Sequence, residues 1–488
     1  MADKNRAGRS GDRFSGAPPQ TPSSQRARRF SETKDIVTDD AQSVSWATIA
    51  ARVGRGKLLF YAVYMAALLG ANAVILIPAM VRGNPGGNSL FIASWILLQA
   101  VAVVFVVLSK QHDGRLGTWV AAATVYLGIS CAWSAAPQTS IVYGGMLVCN
   151  LLVAYLLAID LSPREIVHLS GWVIFALVCV GMAAYYLGYQ PAVYVDIHDR
   201  ANFVGGVPAR GFFPHKITAA FYAALGFVAI TGSTRDRLKL AVALVVTVWF
   251  ILLTGSATGL ILLIAALILR VLVMMSIKRM VSRGAWFLAV VTGGGLFAGL
   301  LSLVWSALLN DLGRDATLTG RTILWEYGIR AFLERPLGGW GFAAYFNSDE
   351  WTVIQRQVAA FSNYDVPHFH QSYIQTAVDL GTPGLVALVW GILFLASRSY
   401  SMALREDPRV GGAVFALVCT TALAATAMFV LLTYNHFATF LMAVLLFAVA
   451  RQGWITPAGV VSRTGAPAQR APRSKRPEGL TRRRIDGS

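Results

Sequence analysis

Residues 58–81 read LLFYAVYMAALLGANAVILIPAMV, twenty-four positions without one charged side chain. A helix rises about 1.5 Å per residue, so roughly 20 such residues cross the hydrocarbon of a bilayer. Runs of the same kind recur at 90–108 and 286–308. Of 488 residues, 56% are hydrophobic and only 14% charged, too little polarity to cover a soluble chain of this length. Working outward, the apolar blocks predict twelve spans, at 58–81, 90–108, 116–134, 140–158, 166–188, 216–231, 238–253, 257–275, 286–308, 383–397, 412–433 and 437–450. The expected fold is an all-α polytopic membrane protein with about 12 transmembrane helices, and the lipid bilayer is its first partner.

The formal net charge is +18. Residues 1–57 carry 11 Lys/Arg against 6 Asp/Glu, and residues 455–488 carry 8 against 2. Both tails are therefore read as basic and disordered, flanking a membrane domain at 58–450. A basic composition alone is no nucleic-acid signature, and no nucleic-acid partner is expected. Basic residues of the short connections alternate with the spans. Lys110, Arg115, Arg164, Arg235, Arg237, Lys239, Lys278, Arg279, Arg283, Arg398, Arg405 and Arg409 fall on one side, against Arg82 alone on the other. The positive-inside rule then puts both termini in the cytoplasm. The first 57 residues show no short apolar core with a small-residue cleavage site, so no signal peptide is predicted there. Cys131, Cys149, Cys179 and Cys419 sit in apolar blocks without CxxC or CxxH spacing, which indicates neither zinc nor a disulfide framework.

Two connections on the outer side are long, 189–215 and 309–382. A connector of the second length is functional or disordered as a rule. This one holds Trp325, Trp340, Trp351, Phe332, Phe342, Phe346, Phe361 and Phe369, so it reads as a folded, largely helical periplasmic cap between spans 9 and 10. The pattern predicts one helix over 321–334, stopped by Arg335-Pro336 and the glycines of 337–341. A second runs over 370–380, with Gly381 as its C-terminal cap and Pro383 beyond.

Chemistry-bearing residues gather in four segments: Arg210-Gly-Phe-Phe-Pro-His-Lys216, Leu253-Thr-Gly-Ser-Ala-Thr-Gly259, Thr319-Gly-Arg-Thr-Ile-Leu-Trp325 with Arg335-Pro-Leu-Gly-Gly-Trp-Gly-Phe342, and His370-Gln-Ser-Tyr-Ile-Gln-Thr-Ala-Val-Asp-Leu-Gly-Thr-Pro-Gly-Leu385. In this order they resemble the O-antigen ligase/polymerase superfamily over roughly 130–450, and the first segment is most like its exopolysaccharide polymerase branch. Gln371 stands where that pattern has Asn, and Ile217-Thr218 replaces the Asn that often follows the Lys. The resemblance implies an enzyme whose donor is an undecaprenyl-diphosphate-linked oligosaccharide, whose partner is a chain-length regulator, and which needs no cofactor. It casts His370 and Arg321 as catalytic residues, and Arg210, Lys216, His215 and Trp325 as substrate-binding ones. Releasing a lipid diphosphate requires positive charge, which Arg supplies through planar bidentate contacts. No Asp-x-Asp metal motif occurs, the nearest spacing being Asp196 and Asp199, and no metal site is predicted. At the first turn of a helix, His370 would be held neutral, able to activate or position an acceptor hydroxyl.

Each of these residues also has a plainer reading. Arg210 and Lys216 flank a membrane crossing, where basic side chains snorkel to the interface. Arg321 reads equally as an exposed helix residue, and His368 shares with His370 the claim to the site. Thr254, Ser256 and Thr258 suit a helix cap, and His436 reads as structural. Two classes of function fit the whole. One is a polymerase of repeat units, or a ligase passing the glycan to lipid A core or a protein hydroxyl. The other is a flippase for the same lipid-linked sugars, which would need charge near the membrane midplane. The charged candidates lie outside the spans, which favours the enzyme and, through the first segment, the polymerase.

Overall fold

The computed structural model describes residues 44–76, 89–109, 111–195, 201–279, 321–362 and 367–459. Regular structure among them is helical: α1 (Trp46–Val53), α2 (Arg55–Leu68), α3 (Ala71–Leu76), α4 (Ser89–Leu108), α5 (Gly114–Ser130), α6 (Pro137–Asp160), α7 (Pro163–Tyr186), α8 (Lys216–Ser233), α9 (Arg237–Thr254), α10 (Ala257–Arg279), α11 (Arg321–Glu334), α12 (Asp349–Ser362), α13 (Ser372–Arg405), α14 (Pro408–Ala424) and α15 (Phe437–Gly459). Seven helices are long and apolar enough to cross a membrane, and three shorter apolar ones join them at 93–108, 408–424 and 437–452. These coincide with ten of the twelve predicted spans. The span at 286–308 and the tails at 1–43 and 460–488 lie outside the described residues. Residues 46–57, assigned to the N-terminal tail, are instead mostly helical, and Arg52 pairs with Glu165 at 2.6 Å.

The bundle is organised around α8, which packs against α7, α9, α10 and α14. Lipid tails are as apolar as leucine, so helices in a bilayer associate by close packing of small residues. On α8, Ala219, Ala220, Ala223, Ala224, Gly226, Ala229 and Gly232 are all buried. A methyl group on Gly226 would fall 2.6 Å from the Ile174 side chain, and one on Gly259 of α10 would fall 2.2 Å from Ala220. These contacts leave no room for a larger residue.

Two predicted spans are broken, and a third is joined to the cap helix. The first ends at Leu68, because Gly70 takes φ +100 with Pro214 packed against it, and only the short α3 follows among described residues. The cap helix and the span at 383–397 share one 34-residue helix, α13, interrupted where Gly381 adopts φ +65. That conformation suits glycine, and a side chain there would strike the Leu337 carbonyl. The third difference is at 412–433, where α14 stops at Ala424 and a non-helical strap runs over 425–436.

The cap has its own core of Leu324, Ala331, Trp340, Tyr345, Trp351, Phe369 and Val378. It is held to the bundle through backbone. Trp340 and Gly341 donate N–H bonds to the carbonyls of Val378 and Asp379, and Ala135 donates to the Trp340 carbonyl at 2.8 Å. Arg335 lies 3.9 Å over the Trp340 ring.

Candidate active site

Two segments far apart in sequence meet at one end of the bundle. The first is 189–216. A short 3-10 turn at Gln190–Ala192 and an antiparallel bridge between Val193 and Ala209 fold it back on itself. Ala209 donates to the Leu253 carbonyl, so the loop rests on the end of α9. Arg210 and Gly211 both donate N–H bonds to the Ala192 carbonyl. The Arg210 Nε donates to the Pro191 carbonyl at 2.8 Å and its Nη1 to that of Pro214 at 3.4 Å, which aims the guanidinium. Burial lowers the Arg210 pKa from its ordinary value.

His215 is the N-cap of α8. Its Nδ1 accepts the Ile217 N–H at 3.1 Å, which fixes the proton of the neutral ring on Nε2. That Nε2 lies 2.6 Å from the Tyr194 hydroxyl, to which it donates. The following Lys216 is buried, with Nζ 5.4 Å over the Tyr194 ring. Tyr194 thus joins the two predicted substrate-binding residues.

The second segment belongs to the cap. Arg321 opens α11, and its Nη1 donates to the Ala427 carbonyl of the strap at 2.9 Å. Trp325, one turn on, donates its indole N–H to the Phe369 carbonyl at 3.1 Å, which anchors the backbone beside His370. His370 does not sit in the first turn of a helix as expected. It precedes the N-cap, with φ +54. The N-cap is Gln371, whose side chain accepts the Ile374 N–H at 2.5 Å, the bond that a capping Asn supplies. His370 donates its backbone N–H to Nδ1 of His368 at 3.2 Å, and the two rings meet edge to face at 4.2 Å.

The strap completes the enclosure. Ser372 Oγ accepts the N–H groups of Val430 and Leu431 and donates to the Met428 carbonyl, so one hydroxyl holds three strap residues. At the strap's end His436 Nδ1 lies 2.8 Å from the Tyr222 hydroxyl of α8.

The electrostatics show what these contacts bring together. The His370 ring is pushed down to about 2, first by burial and then by His368, Arg321 and His215. His368 falls to about 4, chiefly by burial, with Arg321 adding to it. His436 falls to about 3, by burial and then His368. His215, Arg321, His368, His370 and His436 therefore share one field, and His368, His370 and His436 are neutral at physiological pH. Arg210 and Lys216 reach this group through Tyr194 and the His215 turn.

His368, ranked by sequence behind His370, and His436, read from sequence as structural, both lie in this group, and Tyr194 and Tyr222 join it with no sequence expectation behind them. The signal for His368 was its spacing of two from His370. Tyr222 and His436 lie 214 positions apart and carried none. Ser256 accepts the Gly259 N–H and Thr254 bonds to the Ile251 carbonyl, as helix-end residues do. Asp196 and Asp199 lie outside the described residues. Among the described residues no three His, Cys, Asp or Glu side chains are grouped to hold a metal.

The chain is similar to known proteins over part of its length. Residues 242–389 match the family described as O-Antigen ligase. A curated relative, the exopolysaccharide production protein ExoQ of Rhizobium meliloti (strain 1021), is 27% identical over 311 residues. That match spans 59% of this chain and 66% of the relative, just short of two thirds of its length. A chain from a structure titled for the coordination of polymerization and crosslinking by a peptidoglycan synthase complex aligns over 71% of this chain and 100% of its own. Its identity is 17% and its TM-score 0.37, too low to bear on the fold.

Proposed function

We propose, from the similarity of residues 242–389 to the O-antigen ligase family and of the chain to an exopolysaccharide production protein, that this protein is a polymerase joining undecaprenyl-diphosphate-linked oligosaccharide repeat units at the periplasmic face of a bacterial inner membrane. The observation that carries this reading is the meeting of His215 from the 189–216 loop with Arg321, His368 and His370 from the cap, in one shared field.

In this reading Arg210, Lys216 and Arg321 bind the diphosphate of the donor. The acceptor hydroxyl oxygen forms a bond to the anomeric carbon as the bond from that carbon to the diphosphate oxygen breaks. The electron pair leaves on the lipid diphosphate, where the guanidinium groups stabilise it. The hydroxyl proton moves to a ring nitrogen of His370. A ring held near 2 is a weak base in the empty site. The diphosphate offsets the field of Arg321, so donor binding raises the basicity of His370 when it is needed. A chain-length regulator is the expected protein partner.

The family description favours a second reading, in which the same site acts as a ligase. One experiment separates them: a gel profile of surface polysaccharide in a deletion strain complemented with wild type, His370→Ala or Arg210→Ala at matched protein levels. Single repeat units in the deletion, with no long chains restored by either variant, support the polymerase. Long chains held on the lipid carrier identify a ligase. Repeat units trapped on the cytoplasmic side identify a flippase, and full activity of both variants removes the site assignment.

A further inference from the structure

At the other end of α8, 18 residues or about 27 Å from Lys216, four arginines from four elements converge. Arg164 lies in the first turn of α7, and its Nε is 3.9 Å from Asp407 Oδ2. Arg270 of α10 donates from Nη1 to the Pro408 carbonyl at 3.4 Å and packs on Gly412. Arg409 follows in the first turn of α14, its backbone carbonyl against Gly232 near the end of α8. Arg235, just past that end, is within electrostatic reach of Arg409, as is Arg164.

The acidic groups facing the cluster do not neutralise it. Asp407, one carboxylate, is shared among Arg164, Arg270 and Arg409 and also caps α14 through the N–H groups of Arg409 and Val410. Asp236 caps α9 through Leu238 and Lys239 and pairs with the Lys239 ammonium at 3.7 Å. Glu406 is exposed, with no carboxylate bond to any of the four among the described residues. Among those residues the four guanidinium groups donate one hydrogen bond to protein, that of Arg270. The buried Arg164 Nε has none. Half-buried guanidinium groups with unused donors attract an oxyanion. Just past Arg235, α9 presents a stripe of exposed apolar side chains that runs away from the cluster along the helix, Leu238, Val242 and Val245.

We propose that Arg164, Arg235, Arg270 and Arg409 bind the phosphate headgroup of an anionic phospholipid, whose acyl chains lie along the apolar flank of α9. A lipid rather than a free phosphate is favoured because Arg235 adjoins that apolar stripe at the end of a membrane-crossing helix. The site is remote from His370, and its existence does not depend on the polymerase reading.

The test is the thermal midpoint of the delipidated full chain in detergent, titrated with phosphatidylglycerol, phosphatidylcholine or inorganic phosphate. Phosphatidylglycerol alone should raise the midpoint of the wild type. Its apparent affinity should fall about fivefold in Arg235→Gln and about 25-fold in Arg164→Gln/Arg235→Gln. Arg235 is exposed, so the single variant carries the test if the double one fails to fold. Equal effects of phosphatidylcholine, or of inorganic phosphate, would overturn the lipid assignment. So would wild-type lipid affinity in Arg235→Gln, or an equal loss in Arg405→Gln on the same face.

Discussion

His215 and His370 both stand at the start of a helix, and both were expected among the functional residues, but their rings are used differently. His215 has each nitrogen engaged, Nδ1 by the Ile217 N–H and Nε2 by Tyr194. It is a cap that also positions a tyrosine. His370 sits two residues before its helix, in a left-handed conformation that few side chains adopt. Among the described residues its ring nitrogens make no hydrogen bond to protein, while three cationic or histidine neighbours press on it. Strain of this kind costs of order 1–3 kcal/mol and persists where the surroundings over-determine it. The difference separates a ring that shapes the site from one left open to a substrate.

The sharpest way to break the comparison is to remove each ring. His370→Ala should lower the rate of chain extension by about 10²–10⁴-fold, the range for a lost acid–base group, with little change in the amount of folded protein. His215→Ala should cost activity far less. Similar losses from the two would mean that both are structural. Next in size is Arg321→Lys, which keeps the charge but loses the planar fork and the bond to the Ala427 carbonyl. A loss of about 10²-fold is expected, the effect of one donor on a developing anion. Wild-type activity in Arg321→Lys would show that a point charge suffices.

Much of this molecule was legible in the sequence. Ten spans followed from apolar length, and the cap followed from its aromatics and the stop signals at Pro336 and Gly381. The strap was not legible. Its residues are apolar, and apolar composition reports burial rather than helix. The backbone at 425–436 is instead satisfied by side chains far away in sequence. Ser372 serves Val430 and Leu431, and Arg321 serves Ala427. Non-helical backbone of this kind is tolerated at membrane depth only where it is buried in protein, as Val430 and Leu431 are. The same long-range pairing hid His436, whose partner Tyr222 is on α8. Motif spacing supplied His370 and Arg321. The state of each ring depends on partners that only the fold assembles.

A smaller effect concerns pH. His370, His368 and His436 all have folded pKa values below the ordinary 6.5, at about 2, 4 and 3. Below pH 6.5 the unfolded chain therefore binds more protons than the folded one, and stability falls as pH falls. Each histidine contributes a slope approaching 1.4 kcal/mol per pH unit in that window, down to its own folded value. The thermal midpoint in detergent should drop between pH 6.5 and 5, and His370→Asn should drop less steeply by about one proton equivalent. Parallel curves for wild type and His370→Asn would show that the ring is not desolvated in solution, and the contrast with His215 would lose its electrostatic half.

The smallest effect sharpens the other half. Asn is among the best N-cap residues, so His215→Asn can keep the bond to the Ile217 N–H while losing the one to Tyr194. Its stability should lie within a few tenths of a kcal/mol of wild type, whereas His215→Ala should cost about 1 kcal/mol through the lost cap. Activity should discriminate in a different way. Freed from His215, Tyr194 no longer has its ring fixed beneath the Lys216 ammonium, 5.4 Å away. If that pair helps to hold the donor, His215→Asn raises KM with little change in kcat, as expected for lost uniform binding. A fall in kcat at unchanged KM would place His215 with His370 in the bond-making step, and the division between the two rings would fail.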